Sequence, residues 1–260
     1  MLSSLLTLLA VSKIDEQQCP DPTLVRLAHG GSVRGVLYGG LYRRFLGIPF
    51  AQPPLRERRF MPPLPAAAWN GTRTAFEYAL SCATGQAPYT GSEDCLYLNV
   101  YAPPAAVQGA LLPVVFFIHG GGFEGGGAGG SHQFGSNNLD PSGVFEHLGA
   151  RAVYVYAAYR LEAFGFLGSK ELAAHNEQTN NDASTGNMGL QDQRMALNWV
   201  QENIAAFGGD AERVLPPATP PGLPQFRRTW LRSAARACSR ARSWRAAVHK
   251  DPCCSCASLQ

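Results

Sequence analysis

Charge is scarce in this 260-residue chain: 16% of its residues are charged, against 45% apolar. That balance excludes an intrinsically disordered chain and fits one large packed core. The charge is also unevenly spread. Residues 215–260 hold eight of the 22 basic residues and one of the 19 acidic ones, a net +7, whereas residues 1–214 hold fourteen basic and eighteen acidic. The basic balance of the whole belongs to the tail alone, so net charge gives no support for a nucleic-acid partner of the body.

Cysteine is rare too. Before the tail there are Cys19, Cys82 and Cys95, and the tail's Cys238, Cys253, Cys254 and Cys256 have no His at zinc spacing, so no metal site is expected. No apolar run is long enough to span a bilayer, and stable membrane insertion is not expected. The opening "MLSSLLTLLAVS" is apolar for about ten residues and ends in a small-x-small pattern before "KIDE", which reads as a signal peptide over residues 1–12. A basic n-region is missing, and a buried first helix or a misassigned start is the other reading. A secretory route would let Cys82 and Cys95 pair across a 12-residue loop, leaving Cys19 without a partner. Asn70-Gly71-Thr72 is an N-glycosylation sequon, in keeping with a secreted, extracellular protein.

What is present is an α/β pattern. "TLVRLA", "SVRGVLY" and "LYRRFLGIPF" read as short strands between Gly-rich turns, and the Pro-rich "PFAQPP" and "FMPPLPAAAW" read as surface connections. "CLYLNVYAP" is extended. "LPVVFFIHGG" and "RAVYVYAAYRL" suit strands buried on both faces of a largely parallel sheet. In "GLQDQRMALNWVQENIAAFGG" the residues Leu190, Met195, Leu197, Trp199, Val200, Ile204 and Phe207 recur at helical spacing, with Gly208-Gly209 as the stop. "AERV" then leads toward a further strand, which is α/β logic, and no internal repeat is visible.

The chemistry-bearing motif is "HGGGF", His119 to Phe123, at the end of a buried strand. Glycines there let backbone N–H groups face a ligand without interference from a Cβ. A phosphate loop would need a closing Lys-Ser/Thr, which is missing. With "FLGIPFAQPP" (45–54), "SEDCLYLNVY" (92–101), "YRL" and "GFLG" (159–168) and "GNMGLQDQRMALNWVQENIAAFGGD" (186–210), the motif matches the order and approximate spacing of the type-B carboxylesterase and cholinesterase-like family, which the chain resembles over about residues 24–214. The resemblance implies an α/β-hydrolase fold, serine hydrolysis of a small-molecule carboxylic ester, and no cofactor. It implies that Gly121 and Gly122 are oxyanion-hole donors, that Cys82 and Cys95 form the family's first disulfide, and that Arg59 and Glu93 form a structural ion pair. Cholinesterases place a choline-binding Trp in that disulfide loop; "ATGQAPYTGSED" has none, so acetylcholine is not the expected substrate.

The departure comes after Val214. The family's catalysis needs Ser in G-x-S-x-G, then an acid and a His. This sequence has no G-x-S-x-G; beyond Val214 it reads "LPPATPPG", whose prolines forbid a central strand, and His249 is the only later His. No catalytic nucleophile, acid or base is therefore assigned. Read from the third base of each codon, Pro217 to Gly222 permits Gly, His or Asp, Ser, Ala, Gly; Gly222 to Phe226 permits Ala-Ala-Ser-Val-Gln, and Arg236 to Ser239 permits Gly-Leu-Phe. Both continuations resemble the family's residues on the far side of the elbow, which points to a shifted frame or a misplaced splice junction.

The expected organisation is thus a signal peptide (1–12), the N-terminal part of a truncated α/β-hydrolase domain (13–214) and an irregular, out-of-frame Pro/Arg-rich tail (215–260). Such a sheet, stopping before the nucleophile strand, would keep an aggregation-prone hydrophobic edge. Two rival readings exist. Seven arginines with Trp230 and Trp244 would suit RNA binding by a genuine tail, although GC-rich out-of-frame sequence is also rich in Arg and Pro. A chain without a nucleophile would also suit the non-catalytic, cell-surface adhesion relatives of cholinesterases.

Overall fold

The computed structural model describes residues 21–85, 90–104, 111–129, 143, 145 and 151–215. The signal peptide expected over residues 1–12, Cys19, and the tail beyond Leu215 with its cysteines and His249 lie outside the described residues.

Nine strands form two sheets among the described residues. β1 (Leu24–Arg26), β2 (Ser32–Arg34) and β5 (Thr72–Thr74) make a small sheet in the order β1-β2-β5. β3 (Val36–Tyr38), β4 (Tyr42–Pro49), β6 (Tyr97–Ala102), β7 (Leu112–Ile118), β8 (Val153–Ala157) and β9 (Gly209–Leu215) make the main sheet, ordered β3-β4-β6-β8-β7-β9. The β3, β4, β6 and β8 neighbours are antiparallel; β8, β7 and β9 are parallel. Three helices lie between β8 and β9: α1 (Glu162–Phe166), α2 (Lys170–Asn180) and α3 (Met188–Asn203), the last continuing into a tighter turn at Ile204–Phe207. This is an α/β fold with a mixed main sheet.

The burial pattern explains the strand sequences. β6 buries every residue from Leu98 to Ala102, and in β8 Val153, Val155 and Ala157 are buried, as β-branched and apolar runs on a covered sheet require. β7 departs from the expectation of burial on both faces. Val114 and Phe116 are fully buried, with Val114 beside Ile204 at the end of α3, but Val115, Phe117 and Ile118 are only half-buried. The described residues cover the second face only in part, so the alternation of the strand shows through.

A second correction concerns the last strand. The sequence stops the helix at Gly208-Gly209 and has "AERV" leading toward a further strand that the following prolines forbid. The structure starts the strand earlier: Gly208 takes φ 90°, and residues Gly209–Leu215 lie parallel to β7 and end just before Pro216. Pro113, which has no N–H to give, coincides with a register shift in that pairing between Leu112 and Val114.

Arg43 locks the interior. It is buried, and its guanidinium donates to three backbone carbonyls, Pro103 (2.7 Å), Pro22 (2.9 Å) and Phe207 (2.9 Å). Desolvation lowers its pKa, and the three acceptors offset the cost of burying the cation.

Candidate active site

The parallel strands β7 and β8 end side by side, Ile118 opposite Ala157. In an open α/β sheet ligands bind beyond such carboxyl ends. The loop 119–129 leaves β7 at this edge.

Its conformation requires glycine at specific places. Gly121 has φ 122°, and a Cβ there would stand 2.1 Å from the Gly125 carbonyl oxygen. Gly122 has φ 65° with open space where its Cβ would be. The Glu124 N–H donates to the Gly121 carbonyl at 3.0 Å, closing the turn. Gly120, Gly121 and Gly122 are exposed. Among the described residues no acceptor takes the Gly121 or Gly122 N–H, so both donors are available to an anionic oxygen arriving from solvent.

His119 sets the orientation of the first donor. Its ring is buried, stacked 4.3 Å from Tyr159, and its Nδ1 lies 3.1 Å from the Gly120 carbonyl oxygen. A carbonyl only accepts, so Nδ1 carries the proton. The Gly120 C=O and Gly121 N–H are the two ends of one planar trans peptide, so pinning the carbonyl toward the imidazole turns the N–H the opposite way. The Tyr159 hydroxyl donates to the His119 carbonyl at 2.9 Å. Burial lowers the His119 pKa to about 4, the Gly120 contact opposing this only in part, and burial pushes Tyr159 up to about 12. Both rings are therefore neutral at pH 7, and His119 acts as a brace for the loop.

The far end of the loop is tied to the sheet by Asn99. This buried β6 residue accepts from the Gly47 N–H (2.9 Å) and donates to the Ala128 carbonyl (2.9 Å). Gly47 itself sits at the irregularity in β4 between Phe45 and Ile48, with φ 67°.

Next to the loop lies a buried ion pair that sequence reasoning missed. The Arg160 Nε and Nη2 donate to the two Asp192 carboxylate oxygens at 2.8 Å each, the Arg160 backbone N–H adds a contact of 3.1 Å, and Nη1 donates to Met61 O at 2.8 Å. The two side chains are 3% and 0% exposed. Gly165 and Gly189 make room for it, since a Cβ on either would stand 2.2 or 2.6 Å from the Arg160 carbonyl. A signal was present: Met188, Asp192, Ala196 and Val200 form one i, i+4 row, all fully buried, and a carboxylate inside an apolar row needs a partner.

The remaining candidate residues fall into two places. Cys82 and Cys95 are bonded, S–S 1.99 Å, and the Arg59 guanidinium meets Glu93 through two 2.6 Å contacts beside them. Arg59 also stands over the Phe164 ring of α1 at 6.0 Å. Asn70 is exposed in the turn before β5, with the Gly71 carbonyl accepting from Ser32 N–H at 2.8 Å. It lies on the small sheet and does not join the loop. The described residues contain no His, Cys, Asp and Glu grouping fit for a metal ion, and no helix among them is long and apolar enough to cross a membrane.

Residues 21–215 match the sequence model described as the Carboxylesterase family. The chain is 40% identical over 203 residues to fumonisin B1 esterase of Sphingopyxis macrogoltabida, covering 76% of this chain and 35% of that one. It is 39% identical over 212 residues to cocaine esterase of Oryctolagus cuniculus, covering 73% and 36%. Among solved structures, a Geobacillus stearothermophilus carboxylesterase superposes with TM-score 0.60 at 38% identity, covering 75% of this chain and 37% of that one. The chain thus spans about a third of the length of the curated relatives it matches.

Proposed function

The chain belongs to the carboxylesterase family, and from that premise we propose that it carries the oxyanion wall of a serine ester hydrolase without the means to use it. The intact parent attacks a small-molecule carboxylic ester with a Ser hydroxyl. The carbonyl oxygen becomes an oxyanion that accepts from the Gly121 and Gly122 N–H groups and from the residue after the Ser, and no cofactor takes part. The observation that carries this reading is the exposed Gly121-Gly122 turn at the carboxyl end of β7, held in positive φ with both donors free among the described residues. Arg59 with Glu93 and Cys82 with Cys95 brace the neighbouring loop.

This 260-residue polypeptide is not itself an esterase, because its sequence contains no G-x-S-x-G and reads "LPPATPPG" where the elbow belongs. Losing the nucleophile costs roughly 10⁶ in kcat in a serine protease, which sets the scale. The tail 215–260 is out-of-frame sequence without a role of its own. A secreted, Asn70-glycosylated product is supported by the small-x-small pattern at residues 10–12, the exposed sequon and the disulfide.

Two measurements test the proposal. The chain is exposed to a fluorophosphonate and to a chromogenic acetate ester; no adduct and no hydrolysis above buffer are expected, and a stoichiometric adduct would overturn it. Sequencing of the transcript across the codons for Asp210 to Ser239 is expected to restore a G-H-S-A-G elbow in a neighbouring frame. A transcript that encodes "LPPATPPG" as it stands removes the shifted-frame account.

A further inference from the structure

We infer that Glu162 is a positioning residue that couples the disulfide loop to the loop bearing Gly121 and Gly122, an inference that rests on the oxyanion reading of that loop. Glu162 has φ 46°, in the left-handed region that favours glycine. A non-glycine residue stays there only when its surroundings hold it, and two contacts do so. Its N–H donates to the Phe123 carbonyl at 2.8 Å, and its carboxylate Oε2 accepts from the Gly85 N–H at 3.0 Å. Phe123 is the immediate neighbour of Gly122 and is itself at φ 69°. Gly85 lies three residues past Cys82, inside the loop closed by the disulfide. One residue therefore touches both loops, through its backbone on one side and its side chain on the other.

The short helix that Glu162 opens repeats this arrangement. Phe164 stacks on Phe60 with centroids 5.9 Å apart, beside Arg59 and its Glu93 partner, whereas Phe166 packs on Phe123 at 4.7 Å. Glycine at position 162 would satisfy the backbone without strain, but it would forgo the Gly85 contact. The strained Glu keeps a charge-assisted hydrogen bond that glycine cannot supply. The consequence is that the disulfide loop helps fix the Phe123 carbonyl and with it the Glu124 N–H of the same peptide, which donates to the Gly121 carbonyl and so helps set the aim of the Gly122 N–H at the other end of that peptide.

Hydrogen exchange on the 260-residue chain tests this directly, with the Gly85 and Glu124 amides as reporters; the latter donates to Gly121 O across the turn. In Glu162→Ala both amides are expected to exchange faster by on the order of tenfold, while Glu162→Gln, which retains a carbonyl acceptor, stays within about threefold of the parent. Glu162→Gly relieves the backbone, so it cannot fail through strain, and it should release Gly85 as the Ala variant does. Reduction of the disulfide is expected to speed Glu124 exchange in the parent and in Glu162→Gln, and to add nothing in Glu162→Ala. Unchanged Glu124 exchange in Glu162→Ala, or an equal effect of reduction in every variant, overturns the inference. No ester enters this experiment; a fluorophosphonate adduct would overturn the proposed function and leave the exchange result standing.

Discussion

Replacing Asp192 by Ala removes the acceptor of three hydrogen bonds from Arg160 and leaves the guanidinium, 3% exposed, with only the Met61 carbonyl. Removing one partner of a buried pair strands a charge and costs about 3–5 kcal/mol. Against a total stability of about 5–15 kcal/mol for a domain, that is a large fraction. Removing both charges in Arg160→Met with Asp192→Leu is expected to cost less, about 1–3 kcal/mol, because the backbone N–H of residue 160 is then the principal group left without its acceptor. Urea titration monitored by Trp fluorescence reads the difference: with a slope of about 2 kcal/mol/M, the single variant should lower the midpoint by about 2 M and the double by at most about 1.5 M. A single variant within about 1 kcal/mol of the parent, or a double variant worse than the single, refutes the reasoning that the charge is stranded.

The glycine loop and its brace give two more expected outcomes. His119 has its pKa lowered to about 4 by burial, against 6.5 unfolded, so below pH 6.5 the unfolded chain takes up a proton that the folded chain refuses. The resulting stability penalty is absent above pH 6.5 and grows as pH falls toward 4, reaching about 3 kcal/mol; His119→Phe should flatten that part of the pH profile in urea titrations at pH 7, 6 and 5. Ala substitutions at Gly120, Gly121 and Gly122 should separate in thermal unfolding: near-neutral at Gly120, about 1–2 kcal/mol at Gly122 from φ alone, and the largest loss at Gly121, where backbone stands 2.1 Å from the new Cβ.

Much of the scaffold was legible in the sequence because period and composition agree there. β4, β6, β8 and α3 are runs whose side chains are decided by burial, and Gly121 and Gly122 of "HGGGF" stand where positive φ is needed. α2 was not legible by period, since "KELAAHNEQTN" has little apolar surface; its signals are the caps, Ser169 accepting from Leu172 N–H at 3.1 Å and Asn181 at φ 54°. β9 begins earlier than "AERV" suggests because Gly208-Gly209 reads as a stop, whereas Gly209 already pairs with Leu112. The Arg160 and Asp192 partnership and the two-sided role of Glu162 depend on contacts 32 and 77 residues apart, which local periodicity does not encode.

Arg43 carries a consequence for the order in which the chain can close during its synthesis. Its carbonyl from Pro22 precedes it, that from Pro103 arrives 60 residues later, and that from Phe207 arrives 164 residues later. On the ribosome the guanidinium therefore emerges long before its last acceptor, and until then water must solvate one of its donors. The start of β4 stays hydrated while the later strands are being made, and the arrival of the 204–207 turn is the event that allows it to dry.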